Sequence, residues 1–425
     1  MKTETFELEN GLQVVLTDTQ TFPSFTALLL VGAGSRYENK QNNGVAHFFE
    51  HMAFKGSQKY PTALEITTLL DSLGSQQNAY TTKDHTGYWI KGPSKHIGTI
   101  IEVLTEMVLN PLLKAEEIER EKGVIVEEIN MYEDTPQYKV WNLFENTLFP
   151  NSSLGYDVIG QKQTVSKFKR QTFLSYMDLL YKPNNAVLAI AGGIDKDKIL
   201  KIKYKIKELF GSWEKQKTIK AKKYDKEQKK NRQLIHQKKT EQAHFVLGYP
   251  GLSRHDKQRY VFYVLAALLG GSMSSRLFYE LRERRGLCYY IQSGTELFEE
   301  TGYLYSRAGV SNQPDKIKEA ISLILQEQDK IAQGDFSNKE LKKTKEMLKG
   351  RLLLSWESSD SLASLYGKRL LFKQNLLEPN QVLNKIDQVK QAEVIKLAQS
   401  IFRTNKLNLA VIGPFAKLKL DSILK

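Results

Sequence analysis

From Phe25 to Val31 apolar side chains recur at strand spacing. A glycine-containing turn follows, and from Asn43 to Lys55 the apolar positions fall on one helical stripe. The same order returns later in the chain, with a strand pattern at Ala243 to Tyr249 and an amphipathic helix at Gln258 to Leu269. Beyond these come two more matching pairs. Gly87-Tyr88-Trp89-Ile90 answers Gly302-Tyr303-Leu304-Tyr305, and a charged helix starting near Lys114 answers one starting near Asn338. Four features in one order predict an internal duplication with a repeat of about 220 residues. The mixed strands Leu12 to Thr17 and Ala186 to Ile190 suit sheets with one covered face better than fully buried parallel ones. The expected fold is therefore α+β, two similar domains, each a mostly antiparallel sheet covered by helices.

Length agrees with this division, because 425 residues exceed one ordinary core and leave about 200 for each domain. Between the halves lies a lysine-rich stretch, 214–232, with no apolar periodicity. It reads as a solvated linker between domains at 1–213 and 233–425. Charge sharpens the picture less than its size suggests. The formal net charge of +14 is mostly lysine scattered along the chain, with no aromatic-plus-basic motif or zinc finger behind it, so neither a nucleic-acid nor a membrane partner is expected. With 41% hydrophobic and 26% charged residues the composition is that of a soluble globular protein, and no apolar run approaches the ~18 residues of a membrane span. Acidic residues stand near the N-terminus where a signal peptide has its apolar core, so a cytoplasmic location is expected. Periplasmic or organellar residence after removal of a targeting segment is the alternative. The one cysteine, Cys288, excludes an internal disulfide framework and a multi-cysteine metal site, and reads as a small half-buried thiol.

The chemistry concentrates in His47-Phe48-Phe49-Glu50-His51. On a helix, positions i, i+3 and i+4 share a face, so both imidazoles and the carboxylate project together. Two histidines one turn apart reach one tetrahedral zinc and leave Glu50 beside the open coordination position. Zinc lowers the pKa of water to about 7, and Glu50 is the expected general base. A third ligand is needed, and the helix Glu116 to Tyr132 is the richest source of carboxylates. There Val124 and Ile125 predict that the stripe 121, 124, 125, 128 faces inward, which singles out two acids. Glu128 is the expected ligand and Glu121 the residue that orients a ligating histidine; Glu127 is the alternative ligand.

These residues resemble the inverzincin peptidases, the family of pitrilysin, insulysin and the mitochondrial processing peptidase. The resemblance rests on His47-x-x-Glu50-His51 followed about 77 residues later by Glu-Glu-Ile-Asn-Met-Tyr-Glu-Asp. It extends over Gly32-Ala-Gly-Ser-Arg-Tyr-Glu, Asn78-Ala79-Tyr80-Thr81 and Leu281 to Tyr289. Chain length matches the processing-peptidase-like branch. The resemblance implies a zinc endopeptidase in which two such two-domain units form a clamshell and cut unfolded peptides inside it.

The same resemblance implies that Arg282 and Tyr289, at the matching seven-residue spacing, contact substrate. It also implies that Ser75 to Thr81 is an edge strand to which an extended peptide adds, with Asn78 and Ala79 as substrate-binding residues. Because one chain carries both the zinc motif and the Arg/Tyr pair, a homodimer is expected, or a heterodimer with a paralogous subunit. The second half offers apolar residues around Leu265 and Arg351 where the first has its ligands, so one zinc per chain is expected. A different class of function, a non-catalytic scaffold or regulatory subunit, is the alternative reading.

Overall fold

The structure is a computed structural model that describes residues 1–20, 22–420 and 423, the side chain of Lys196 excepted. Among the described residues the strands are β1 (Lys2–Glu7), β2 (Gln13–Asp18), β3 (Ser24–Val31), β4 (Gln76–Thr81), β5 (Thr86–Pro93), β6 (Ala186–Gly192), β7 (Arg232–Gln237), β8 (Gln242–Gly251), β9 (Cys288–Leu297), β10 (Gly302–Ser311) and β11 (Asn408–Gly413). The α-helices of the first part are α1 (Val45–Met52), α2 (Ala63–Ser72), α3 (Ile97–Leu109), α4 (Ala115–Asp134), α5 (Pro136–Leu148), α6 (Lys162–Val165), α7 (Arg170–Leu180) and α8 (Ile199–Phe210). Those of the second are α9 (Arg259–Gly270), α10 (Pro314–Gln333), α11 (Asn338–Ser355), α12 (Ser359–Leu371), α13 (Pro379–Asp387) and α14 (Gln391–Ile401).

Two sheets result, ordered β1-β2-β6-β3-β5-β4 and β7-β11-β8-β10-β9. Leaving out β1, they share one topology. Each opens with a parallel pair, β2 with β6 or β7 with β11, and continues antiparallel to an edge strand, β4 or β9. The two α+β domains are thus similar, as the repeated pattern predicts.

Their boundaries differ from the contiguous halves 1–213 and 233–425. One compact unit comprises Met1–Ile129, Tyr156–Lys222 and Leu354–Leu376; the other comprises Asn130–Gly155, Lys223–Leu353 and Leu377–Lys425. Each half of the sequence therefore lends the other a helix. In the first unit, Leu362, Ala363 and Tyr366 of α12 bury against Val15, Leu28, Leu30, Val187 and Ala189 of the sheet. In the second, Val140, Phe144 and Leu148 of α5 bury against Val246, Tyr303, Ala410 and Ile412. Each such large apolar side chain contributes about 1.5–3 kcal/mol when fully buried. This exchange also changes the expectation of one covered face. From its second residue on β3 is buried throughout, as is β6, because α12 closes the face that α3 leaves open.

The expected linker 214–232 is anchored in its second part. Tyr224 packs edge-on against Phe149 at 5.0 Å, and its amide donates to Glu300 at 2.9 Å. Gln228 is buried, accepting from Asn408 Nδ2 at 2.9 Å. Lysine density hid these two inward residues, since a charge run is solvated only where its side chains are the charged ones. Cys288 is free and buried, and burial pushes its thiol up to about 11. Among the described residues, no helix is long and apolar enough to cross a membrane.

Candidate metal centre

Helix α1 carries the centre, held by two adjacent aromatic anchors. Phe48 meets Phe173 edge-on at 5.0 Å, and Phe49 meets Tyr181 at 4.7 Å, both rings fully buried. With those faces inside, helical geometry turns His47, Glu50 and His51 toward the neighbouring helix α4. The two imidazole rings lie 4.7 Å apart, centroid to centroid.

From α4, Ile118, Glu121, Ile125 and Ile129 face inward. Val124 does not; it is 49% exposed, contrary to the expected stripe. Adjacent helical residues point about 100° apart, so a stripe through 118, 121, 125 and 129 turns 124 outward and brings 128 beside it. Glu127 is exposed, whereas Glu128 joins the histidines.

The ligand atoms of His47, His51 and Glu128 lie within 4.8 Å of one another. Nε2 of His47 is 3.7 Å from Glu128 Oε1, and Nε2 of His51 is 3.5 Å from Oε2. Such separations are long for hydrogen bonds. They suit donors sharing one ion, because two ligands each about 2.0–2.2 Å from a tetrahedral zinc stand about 3.4 Å apart. Burial, assisted by the neighbouring His51, lowers His47 to about 3, leaving a neutral imidazole with a free lone pair for a metal. Burial also raises Glu128 and Glu50 above the ordinary carboxylate range. Side-chain exposures of 13%, 23% and 24% leave the three groups open to an ion and to solvent. The donor set therefore fits a divalent ion of the zinc type.

Around this set the residues divide by what they touch. Glu121 is nearly fully buried and bonds His51 Nδ1 through Oε1 at 2.8 Å, which directs Nε2 toward Glu128. Its other oxygen meets Lys55 Nζ at 2.6 Å. Burial works to raise this carboxyl, but the His51 and Lys55 hydrogen bonds and the Lys55 charge outweigh it and hold Glu121 below the usual range. Glu50 accepts from Thr81 Oγ1 at 2.5 Å. Sequence reading missed both Lys55 and Thr81. Lys55, one helical turn beyond His51, was legible as a cation on the right face; the Thr81 contact crosses from helix to strand and left no trace in spacing.

Asn78 and Ala79 lie on β4, the edge of the first sheet; Asn78 is exposed and its Oδ1 accepts from the Ala79 amide at 2.8 Å. Arg282 and Tyr289 belong to the second compact unit. The Arg282 guanidinium sits 5.1 Å from the ring centres of both Phe278 and Tyr289 and donates to the Tyr289 carbonyl. Tyr289 is 72% exposed. In that unit the helix matching α1 is the apolar α9, and Arg351 donates to the Gly271 carbonyl at 2.6 Å.

Comparison with known proteins gives the family. The model described as Insulinase (Peptidase family M16) matches residues 13–162, and that described as Peptidase M16 inactive domain matches 167–348. The uncharacterized zinc protease YmxG of Bacillus subtilis is 36% identical over 412 residues, covering 96% of this chain and 98% of that protein. The chain belongs to peptidase family M16. An uncharacterized zinc protease of Streptomyces coelicolor is 31% identical over 96% of the chain and 88% of its own length. Among solved structures, a protease from Helicobacter pylori shares the fold with a TM-score of 0.89 at 24% identity, covering 97% of this chain and 100% of that one. A Pseudomonas fluorescens structure described as a peptidase M16 inactive domain superposes with a TM-score of 0.88 at 18% identity, over 99% of this chain and all of its own. His47, Glu50, His51 and Glu128 all lie within the segment matched by the insulinase model.

Proposed function

We propose that this M16 protein is a zinc endopeptidase that cuts unfolded peptides, with one zinc per chain held by His47, His51 and Glu128. The observation that carries the reading is the convergence of those three ligand atoms within 4.8 Å, with Glu50 on the same helix face. Zinc, when bound there, supplies Lewis acidity toward the scissile carbonyl and a water acidic enough to lose its proton near neutral pH. Glu50 would be the group that accepts a proton from the attacking water and returns it to the departing amine, and Thr81 Oγ1 holds its Oε2 in place. Glu121 keeps His51 in the tautomer that offers Nε2 to the metal.

The free edge of β4 supplies unpaired main-chain groups for an extended substrate, positioned by Asn78 and Ala79. Arg282 and Tyr289 contact the substrate from a second chain of a homodimer that encloses the peptide in a chamber. A non-catalytic role draws support from the description of the 167–348 model as an inactive domain and from the like description of the Pseudomonas fluorescens structure. The matched segment takes in 167–222 of the first unit and most of the second, and contains none of His47, Glu50, His51 and Glu128. Among the described residues, His47, His51 and Glu128 form the one group able to hold a metal.

The test compares wild type with Glu50→Gln for bound metal and for cleavage of a mixture of unfolded peptides, with and without chelator. About one zinc in each protein, with chelator-sensitive cleavage in wild type alone, is the expected result. Absence of metal from wild type would overturn the reading, and metal without cleavage would favour the non-catalytic role.

A further inference from the structure

The two ligating histidines are held differently. His51 is oriented through its side chain by Glu121, whereas Nδ1 of His47 is buried without a hydrogen-bond partner. The aim of His47 therefore depends on where the backbone of α1 places it and on the packing of its ring. That backbone begins only two residues earlier, in a helix of eight residues, shorter than the ~12–15 that sustain helicity alone. Its first residue is preceded by Gly44, which has no side chain with which to cap the exposed amides.

Glu38 performs that capping from outside the helix. Its carboxylate is 6% exposed and accepts from the Gly44 amide through Oε2 and from the Ala46 amide through Oε1, both at 2.8 Å. Oε2 also accepts from Asn43 Nδ2 at 2.8 Å. Asn43 in turn donates to the Asp157 carbonyl at 2.9 Å, and Thr164 Oγ1 donates to the Asn43 carbonyl at 2.8 Å. Gly44 is at φ +100°, and a Cβ there would meet the Ile159 carbonyl at 2.8 Å and Gly160 Cα at 2.9 Å. The helix start is thus seated against 157–164 at a distance only glycine allows. A carboxylate at a helix N-terminus is also favoured by the helix dipole. The amide of Ala46 is the last one Glu38 grips, and the next residue is His47.

We propose that Glu38 is a positioning residue for the metal centre, fixing the first turn of α1 so that His47, which lacks a side-chain partner of its own, meets the ion. This rests on the reading of His47, His51 and Glu128 as zinc ligands. A merely structural Glu38 would lower the melting temperature and leave the affinity of the folded protein for zinc unchanged. A positioning Glu38 changes the affinity and the coordination geometry.

The experiment measures the zinc dissociation constant by competition with a chromophoric chelator, at a temperature where circular dichroism shows each protein folded. Wild type, Glu38→Gln and the control Glu102→Gln are compared, the last removing a carboxylate whose partners are Lys59, Tyr60 and Lys205. Glu38→Gln sets an amide NH2 against a helix N–H, and the expected result is a 10- to 100-fold weaker affinity, the range seen when groups that orient metal ligands are lost. Glu102→Gln is expected to stay within twofold of wild type. Cobalt-loaded Glu38→Gln is expected to show altered d–d absorption, the signature of a displaced ligand. If Glu38→Gln does not fold, Glu38→Asp, which draws the charge back by one methylene, is measured in its place with the same expectation. Wild-type affinity and an unchanged cobalt spectrum in the variant would overturn the proposal and leave the metal reading intact. Failure of wild type to bind zinc would overturn both.

Discussion

Thr81 Oγ1 donates a 2.5 Å hydrogen bond to Glu50 Oε2, joining the last residue of the edge strand β4 to the proposed general base. One oxygen of Glu50 is occupied, so the other is left for the proposed proton transfer. Thr81→Val keeps the side-chain shape and removes the donor. We expect kcat to fall about 10-fold or more with zinc content and melting temperature unchanged, Thr81→Ser to recover most of the activity, and Thr81→Val to cost nothing further in a Glu50→Gln background. Equal losses in both backgrounds, measured with one peptide, would show that Thr81 acts elsewhere.

Glu121→Gln tests the link to His51. Its amide can still accept from Nδ1–H, but it presents an NH2 group to Lys55 in place of a carboxylate oxygen, so the orientation that serves His51 is no longer held by charge. Zinc affinity is expected to fall 10- to 100-fold. An affinity within twofold of wild type in equilibrium dialysis would remove Glu121 from the ligand-orienting role.

Glu38 sets a pH dependence of stability. Burial, the largest influence, pushes its carboxyl up to about 7, although the Ala46 and Gly44 amides, Asn43 and the charge of Lys83 pull it down; the phenols of Tyr37 and Tyr176 lie in the same surroundings. Below the ordinary value of 4.5 the group is protonated in both folded and unfolded chains and contributes no slope. Between 4.5 and about 7 the folded protein retains a proton that the unfolded chain has released, so stability falls as pH rises. The full effect, on the order of 3 kcal/mol, is present above 7. Urea unfolding of the metal-free protein at pH 5 and pH 7.5 is expected to show a stability advantage of Glu38→Gln over wild type that grows by about 2–3 kcal/mol with rising pH, because the opposite slope from the lowered His47 and His244 is common to both proteins. Parallel profiles would assign the slope to other groups.

Activity in trans tests the proposed homodimer. Glu50→Gln and Arg282→Ala chains, each inactive alone, are expected to regain up to about a quarter to a half of wild-type activity when mixed and allowed to exchange, because one composite site per mixed dimer is intact. No recovery from mixtures shown to exchange subunits would place Arg282 and Glu50 in independent roles.

The exchanged helix α12 is tested at Gly367. A Cβ there would meet Leu30 Cδ1 at 2.8 Å and Ala189 Cβ at 3.0 Å, so Gly367→Val overpacks the helix against the sheet and is expected to cost about 1–3 kcal/mol. Gly350→Ala on α11, where a Cβ meets nothing within 4 Å, is expected to stabilise by about 0.5–1 kcal/mol through helix propensity. Denaturant midpoints moving in the same direction would contradict this account of α12.

Local pattern by itself determined a good deal. Strand and helix periods are properties of neighbouring residues, so β3 and β8 to within two residues of their ends, the helix of His47 and His51 and the repeated order of elements were all legible. The i, i+3, i+4 spacing placed two imidazoles and Glu50 on one face before any fold was known. Tertiary structure decided what depends on chain crossings. The exchange of α5 and α12 leaves no mark on periodicity, because an apolar helix face does not say which sheet will cover it. The outward turn of Val124 follows from the rotation of α4, which a small error in helix phase obscures. Thr81, Lys55 and Glu38 act across 31, 66 and 8 residues of sequence, on Glu50, Glu121 and Ala46 respectively. A hydrogen bond is specified by distance and direction in space, and only the folded chain brings those donors and acceptors together.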